Sequence, residues 1–464
     1  MYQFSGKLKM LSLALMVIGV LGIGYSFMST KTLEDAKAVI AATHNDNHGN
    51  AHATKELTRK EHNDAKQDGH TIVNNHDNEH AEHVLHQLQN RPWAAVYVAL
   101  LFFLGITLLV LAFYAIQRVA QAGWSIVLFR VMEAITANLH YVSAIMLVFL
   151  ITAFLHINHL FPWMAEGVVD PNADNFDPII YGKKIWMNTP GWLIRSIIYL
   201  AGWNLYRFII RKGSIKEDTT NGDKKLHKRN YNISVAFLVF FMISESMMSW
   251  DWIMGLDPHW FSTLFGWYVL STFMVSAITV IAMVAIYLRA KGVLPMVNDS
   301  HIHDLTKYMF GFSVFWTYLW FSQFMLIWYA DMPEETVYFA MRFNEYNTLF
   351  LSMLVLNFVF PILLLINSDF KSIPWFVIIG GVVILIGHYI DVFIMIMPAT
   401  VGAYWSFGLP EISAIFFFLG LFIYATFSAF AKTSPIASGN PYLKESELFH
   451  YYNIEHKEEN DSHH

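Results

Sequence analysis

The chain of 464 residues is 55% hydrophobic and 16% aromatic but only 14% charged, with a formal net charge of −6 and a mean hydropathy of +0.39. So much Phe, Trp, Tyr and Met against so few charges excludes an ordinary soluble domain. The absence of cysteine excludes disulfides, thiolate-held iron–sulfur clusters, covalently attached c-type haem and a cysteine nucleophile.

A bilayer core is crossed by roughly 20 apolar residues of helix. Ten segments meet that requirement, at about 8–28, 93–118, 138–160, 190–210, 232–253, 264–288, 307–329, 346–366, 375–397 and 411–431. The expected fold class is therefore all-α and integral to a membrane, with ten transmembrane helices. Residues 1–30 read as a retained N-terminal transmembrane anchor. Lys7 and Lys9 precede an apolar run that is long for a secretory signal and is followed by no clean A-x-A site.

Residues 31–91 are a different material. They hold nine of the 21 histidines among Asn, Asp, Lys and Ala, with few apolar residues to form a core. The expectation is a His-rich periplasmic loop, largely disordered or loosely helical. It reads either as a weak collector of zinc, copper or nickel, with His76, His80 and His83 as candidate ligands, or as a solvated linker. Residues 92–432 form a nine-helix membrane core, and the polar 433–464 segment forms a cytoplasmic tail with an aromatic patch, "FHYYN".

Lys and Arg in short loops set orientation. The loop after the fourth span carries Arg207, Arg211, Lys212, Lys216, Lys224, Lys225, Lys228 and Arg229. Arg118 and Arg130 follow the second span, and Arg289, Lys291 and Lys307 surround the loop after the sixth. The alternate loops "EGVVDPNADNFDP" and "ADMPEETVYF" are acidic. Both termini are thereby expected in the cytoplasm of a multi-pass inner-membrane protein. Basic side chains beside spans point to membrane lipids as neighbours, not to nucleic acid.

Ionisable groups inside spans are functional candidates, because a charge at mid-bilayer costs at least about 2.5–3.5 kcal/mol. His156 and His159, three apart, are expected on one helix face at the outer end of the third span, level with Arg195 in the fourth. Asp251 lies at the outer end of the fifth span, with Glu245 about 9 Å deeper. Six residues of helix turn those two carboxylates onto faces some 120° apart, roughly, so they address different partners. The ninth span adds His388 and Asp391, and the seventh adds Gln323. A pocket of His156, His159, Arg195, Asp251 and Gln323 suits a quinone headgroup, whose oxidation releases protons to nearby bases. Glu245, Asp251, His388 and Asp391 suit a proton path. Two plainer readings stand beside these. Arg195 and Asp251 make a structural ion pair, and His388 bonded to Asp391 is a packing device. A metal-ion transporter is the rival from another class, with the His-rich loop as collector and His388/Asp391 as intramembrane site. The tryptophans Trp163, Trp186, Trp192, Trp250, Trp252, Trp260, Trp328 and Trp405 fall at outer interfaces, where an aromatic belt is expected.

The stretches "SWDWIMGLDPHWFSTLFGWYV" and "FWTYLWFSQFMLIWYADMPEE" resemble the ten-span, NrfD-like (polysulfide-reductase-like) membrane subunits of bacterial alternative complex III, a quinol:cytochrome c oxidoreductase. The likeness covers roughly residues 92–432 and is closest to the second of the two paralogous membrane subunits. It implies two four-helix bundles, spans two to five and six to nine, flanked by the first and tenth helices. It implies partners as well: the paralogous membrane subunit, a periplasmic iron–sulfur subunit, c-type cytochrome subunits and in some assemblies a terminal cytochrome oxidase. Haem and iron–sulfur would then belong to those chains. This one would carry no covalent cofactor and no redox centre, with menaquinone or another quinol as the ligand of interest. In the family the quinol site is attributed to the first paralogue. Asp251 matches its Ser-Trp-Asp carboxylate, and His156 or His159 and Arg195 match its histidine and arginine. Gln323 stands where that paralogue tends to carry a carboxylate. The resemblance thus implies structural support and possible proton conduction here.

Overall fold

Inside a bilayer every backbone N–H and C=O must bond within its own segment, and a helix satisfies that requirement in a single chain. The computed structural model describes residues 2–29, 31–48, 69–220 and 223–451, with side chains described throughout except at 41–48, 69–80 and 83. All regular elements among these residues are helical. The first are α1 (Gly6–Met28), α2 (Leu33–His48) and α3 (Gly69–Val119). A tight turn over Gly123–Leu128 leads into α4 (Phe129–Ile135), and α5 (Leu139–Phe154) continues it. A long loop containing the single-turn α6 (Pro178–Gly182) precedes α7 (Thr189–Thr219), α8 (Lys224–Trp252), α9 (Phe265–Ala290) and α10 (Asp299–Ala330). The amphipathic α11 (Pro333–Glu345) is followed by α12 (Asn347–Leu354) and α13 (Phe360–Leu365), joined by a π-helical turn at Val355–Val359. Then come α14 (Pro374–Thr400), α15 (Leu409–Phe430) and the short α16 (Leu443–Glu447).

Nine helical units among the described residues are long and apolar enough to cross a membrane, so the chain is an all-helical, multi-pass membrane protein. The fourth expected span lies within the 31-residue α7. Arg195, Asn204, Arg207 and Arg211 interrupt its apolar run, and it is not among the nine. Several boundaries differ from expectation: the second, fifth and seventh expected spans begin at Val84, Lys224 and Asp299 instead of 93, 232 and 307. The third crossing unit begins at Gly123 instead of 138 and ends at Phe154 instead of 160. The described parts of the 31–91 segment are helical, α2 packing along α3, whereas little regular structure was expected. Residues 49–68, and the side chains of His76, His80 and His83, lie outside what is described.

Lipid is as apolar as the helix faces, so packing and polar contacts, not hydropathy, decide which helices are central. Of the apolar windows, 94% of α3's and 89% of α9's is buried, against 17% of α1's. The first two form the axis, with α5, α8, α14 and α15 packed on α3. On α1 the buried positions Ser12, Gly19 and Ser26 recur every seven residues, a seam of small side chains. That seam meets α15 so closely that a Cβ on Gly420 would come within 2.6 Å of the Ser12 carbonyl. At one end Arg91 on α3 pairs with Glu411 on α15, Nε to Oε1 at 2.8 Å. Within α14, Pro398 lacks the N–H that the Ile394 carbonyl needs, and Arg342 Nη2 donates to that oxygen at 3.1 Å.

Most charge is buried at the opposite end. Arg118 donates to both oxygens of Glu217, at 3.3 and 3.0 Å, and Asn230 donates to the same carboxylate at 2.7 Å. Glu133 on α4 accepts from Arg130, Arg211 and Tyr114, and Arg130 reaches on to Asp218. Arg118, Arg130 and Arg211 thus tie α3, α4 and α7 together through carboxylates, whereas the sequence pattern presents them as loop charges. Burial by itself raises the Glu217 carboxyl, but His227, Arg118 and Asn230 outweigh it and hold the group at about 2. A carboxyl lowered in this way stabilises the fold above its ordinary value of 4.5, and the contribution fades as pH falls toward 2. Glu217→Gln is therefore expected to lower the melting temperature of the detergent-solubilised protein at neutral pH. The deficit relative to wild type should shrink on acidification toward about pH 3. A deficit independent of pH in thermal scans would count against this assignment.

Candidate functional site

The last turns of α8 carry "SESMMSWDW", and their carboxylates receive different treatment. Asp251 is buried and fully occupied. Arg195 Nε donates to Oδ2 at 2.9 Å and Nη2 to Oδ1 at 2.7 Å, while the Tyr199 hydroxyl adds a bond to Oδ2 at 3.0 Å. Trp192 Nε1 donates to the Asp251 carbonyl at 2.9 Å. Trp192, Arg195 and Tyr199 stand at i, i+3 and i+7 on α7, so one helix face delivers all three donors. The Arg195 guanidinium also lies 4.3 Å from the Trp186 ring centre and donates to the Trp186 carbonyl at 3.0 Å. Such bidentate, charge-assisted pairing is the strong form of ion pair.

The remaining members of the expected pocket do not join it. Helix α5 stops at Phe154, and His156 adopts a left-handed conformation (φ 56°). His156 and His159 therefore occupy an exposed loop instead of one helix face, and neither imidazole bonds to Arg195 or Asp251. Gln323 is buried elsewhere, on α10, beside Arg342, Tyr338, Tyr268 and Trp320. The expected five-residue pocket thus reduces to Arg195 and Asp251. Its neighbouring tryptophans are not a belt either. Trp163, Trp192, Trp252 and Trp260 are buried, and Trp252 Nε1 donates to Ser196 at 2.8 Å, whereas Trp186 and Trp328 are exposed.

A second carboxylate centre lies on α14. Asp391 accepts from the Tyr268 hydroxyl on Oδ1, and on Oδ2 from Thr272 Oγ1 and Trp316 Nε1, both at 2.8 Å. Among the described residues no Arg or Lys pairs with it. His388 Nδ1 stands 3.6 Å from Oδ2, beyond hydrogen-bond reach, with its ring edge-on to Trp316. Among the described residues both ring nitrogens of His388 are buried without a hydrogen-bond partner, as are both amide atoms of Asn357. Asn357 Oδ1 presses on Gly387, next to His388. The three donors engage both oxygens of Asp391. Among the described residues no group of three or more His, Asp or Glu is placed to hold a metal ion.

Glu245 is 1% exposed, and its Oε1 has no hydrogen-bond partner among the described residues. Its helix meets α9 nearby: a Cβ on Gly266 would lie 3.3 Å from Ser249 Oγ and 3.5 Å from Ser246. Two residues further along α9, Tyr268 reaches Asp391. One short stretch of α9 therefore links the α8 carboxylate region to the α14 carboxylate.

Several residues that make these centres escaped sequence reading. Tyr199 lies one turn beyond Arg195, and Tyr268 and Thr272 are four apart inside an apolar helix, so helical spacing could have flagged them. Trp316 and Arg342 carry no such signal. No protein-family model and no curated protein matches the chain.

Removing one member of a buried pair costs about 3–5 kcal/mol because the survivor stays charged, while removing both is close to neutral. Arg195→Met is accordingly expected to lower thermal stability sharply. The double variant Arg195→Met/Asp251→Leu should recover most of the loss. A double-mutant cycle from detergent unfolding scans checks this, and simple additivity would rule the coupling out.

Proposed function

We propose that the chain is an integral membrane subunit of a quinol:cytochrome c oxidoreductase of the alternative complex III type, serving as structural support and conducting protons. It has ten spans in this reading, α7 being the tenth, and resides in the bacterial inner membrane with both termini cytoplasmic. The packing supports two bundles: α3, α5, α7 and α8 neighbour one another, as do α9, α10, α12–α13 and α14, while α1 lies against α15. The likeness of "SWDWIMGLDPHWFSTLFGWYV" to the family supports the partner set of paralogous membrane subunit, iron–sulfur subunit, c-type cytochromes and terminal oxidase. Redox groups would sit in those partners. Arg195 and Asp251 would brace the quinol-facing end, and their saturated bonding suits a structural role better than a headgroup site.

The proton role rests on one observation: Glu245 is buried and its Oε1 has no partner among the described residues, whereas Asp251 and Asp391 each accept three side-chain hydrogen bonds. A carboxyl free of ion pairs gains and loses a proton without breaking one. Buried polar atoms lacking a protein partner are accommodated by water, and Glu245, Asn357 and His388 supply such atoms on α8, the π turn and α14. Protons would pass from Glu245 along α9 to the His388/Asp391 region.

The test uses the assembled complex in proteoliposomes. Glu245→Gln is expected to cut proton transfer coupled to quinol oxidation by about tenfold or more, the scale associated with losing a positioned proton carrier. Unchanged proton transfer would leave the scaffold alone. A solubilised chain that migrates without haem-staining partners on a native gel would remove the respiratory assignment itself.

A further inference from the structure

An open cleft of about 490 Å³ lies at the Arg130 end of the helices, between the start of α5, the second half of α7 and the end of α15. Its polar lining is His140, Arg207, Arg211, Ser428, Lys432 and Thr433, with no Asp or Glu among the lining residues. Arg211 is already committed, to Glu133 and to Thr433. Among the described residues Arg207 and Lys432 pair with no carboxylate, and Arg207 Nε is buried without a hydrogen-bond acceptor. His140 adds a ring within the same wall. An arginine held half-buried without an acceptor signals a site for an anion, since a buried charge is normally paired.

The surroundings identify the kind of anion. The flanking faces of α5 and α7 present Val148 (62% exposed), Leu205 (60%) and Phe208 (65%), large apolar side chains that belong in lipid. The cleft therefore joins a cationic wall at a helix end to an apolar surface along two crossing helices. Basic pockets between transmembrane helices are a recurring means of holding anionic headgroups.

We propose that this cleft binds the phosphate of an anionic phospholipid, with Arg207 and Lys432 on the headgroup and the acyl chains along α5 and α7. The site lies apart from Glu245, Asp251 and Asp391 and does not depend on the respiratory reading.

The full chain in detergent is titrated with phosphatidylglycerol or phosphatidylcholine, and retained lipid is counted by native mass spectrometry. Wild type should prefer phosphatidylglycerol by about tenfold or more, the scale of two interfacial cations. Arg207→Gln/Lys432→Gln should abolish the preference while Arg207→Lys/Lys432→Arg keeps it. Ala429→Glu, which adds a carboxylate to the lining and leaves both cations in place, should abolish it too. Inorganic phosphate supplies the second arm. If phosphate displaces the lipid at comparable concentration, the cleft recognises a soluble phosphate and the lipid assignment fails. Equal retention of both lipids by wild type, or a preference that survives the Gln pair, overturns the proposal.

Discussion

A charge carried among apolar helices must find its compensation on a neighbouring helix at the same height, or it costs several kcal/mol. That constraint decides which helices stand beside which. Asp251 holds α8 to α7 because both its oxygens are answered from Trp192's face of that helix, by Arg195 and Tyr199. Asp391 holds α14 to α9 and α10 through Tyr268, Thr272 and Trp316. At the other end Glu133, Glu217 and Asp218 gather Arg118, Arg130 and Arg211 from α3, α4 and α7. Dispersion between apolar faces would permit many rotations and slides of these helices. Directional bonds select among them.

The two carboxylate centres are satisfied by different chemistry. An arginine answers charge with charge, so the Asp251 centre is rigid and balanced. The Asp391 centre is instead held by neutral hydroxyl and indole donors from α9 and α10. His388, 3.6 Å away and free at both nitrogens, and Asn357 beside it leave that centre surrounded by incomplete bonding. Glu245 is the extreme case, a carboxyl surrounded by packed helices with its Oε1 unanswered. Tight packing at Ser246, Ser249 and Gly266 brings α8 and α9 together at this level.

Much of the fold was legible because oil imposes a simple rule. A run long enough and apolar enough becomes a helix whatever its neighbours are, and α3, α9, α14 and α15 emerge close to where hydropathy places them. Where polar residues interrupt the run, the reading weakened. The unit containing Arg130 and Glu133 starts fifteen residues earlier than 138, at Gly123, because its charges are neutralised by partners invisible from local sequence. His156 and His159 were misplaced for a related reason: three-residue spacing implies a shared face only while the helix lasts, and α5 ends at Phe154.

The sequence by itself determined the helical class, the membrane environment, the presence of carboxylates within apolar segments and the common depth of Arg195 and Asp251, since these follow from composition, length and helical rise; that the two are paired is decided by the packing of α7 on α8. Tertiary structure alone decided that His156, His159 and Gln323 stand away from that pair, that Asp391 is held by Tyr268, Thr272 and Trp316, and that Oε1 of Glu245 is left unanswered. The physical reason is that depth along a helix is a one-dimensional quantity readable from the chain. Which side chain faces which depends on rotation about each helix axis, and only the packing of all the helices together sets that angle.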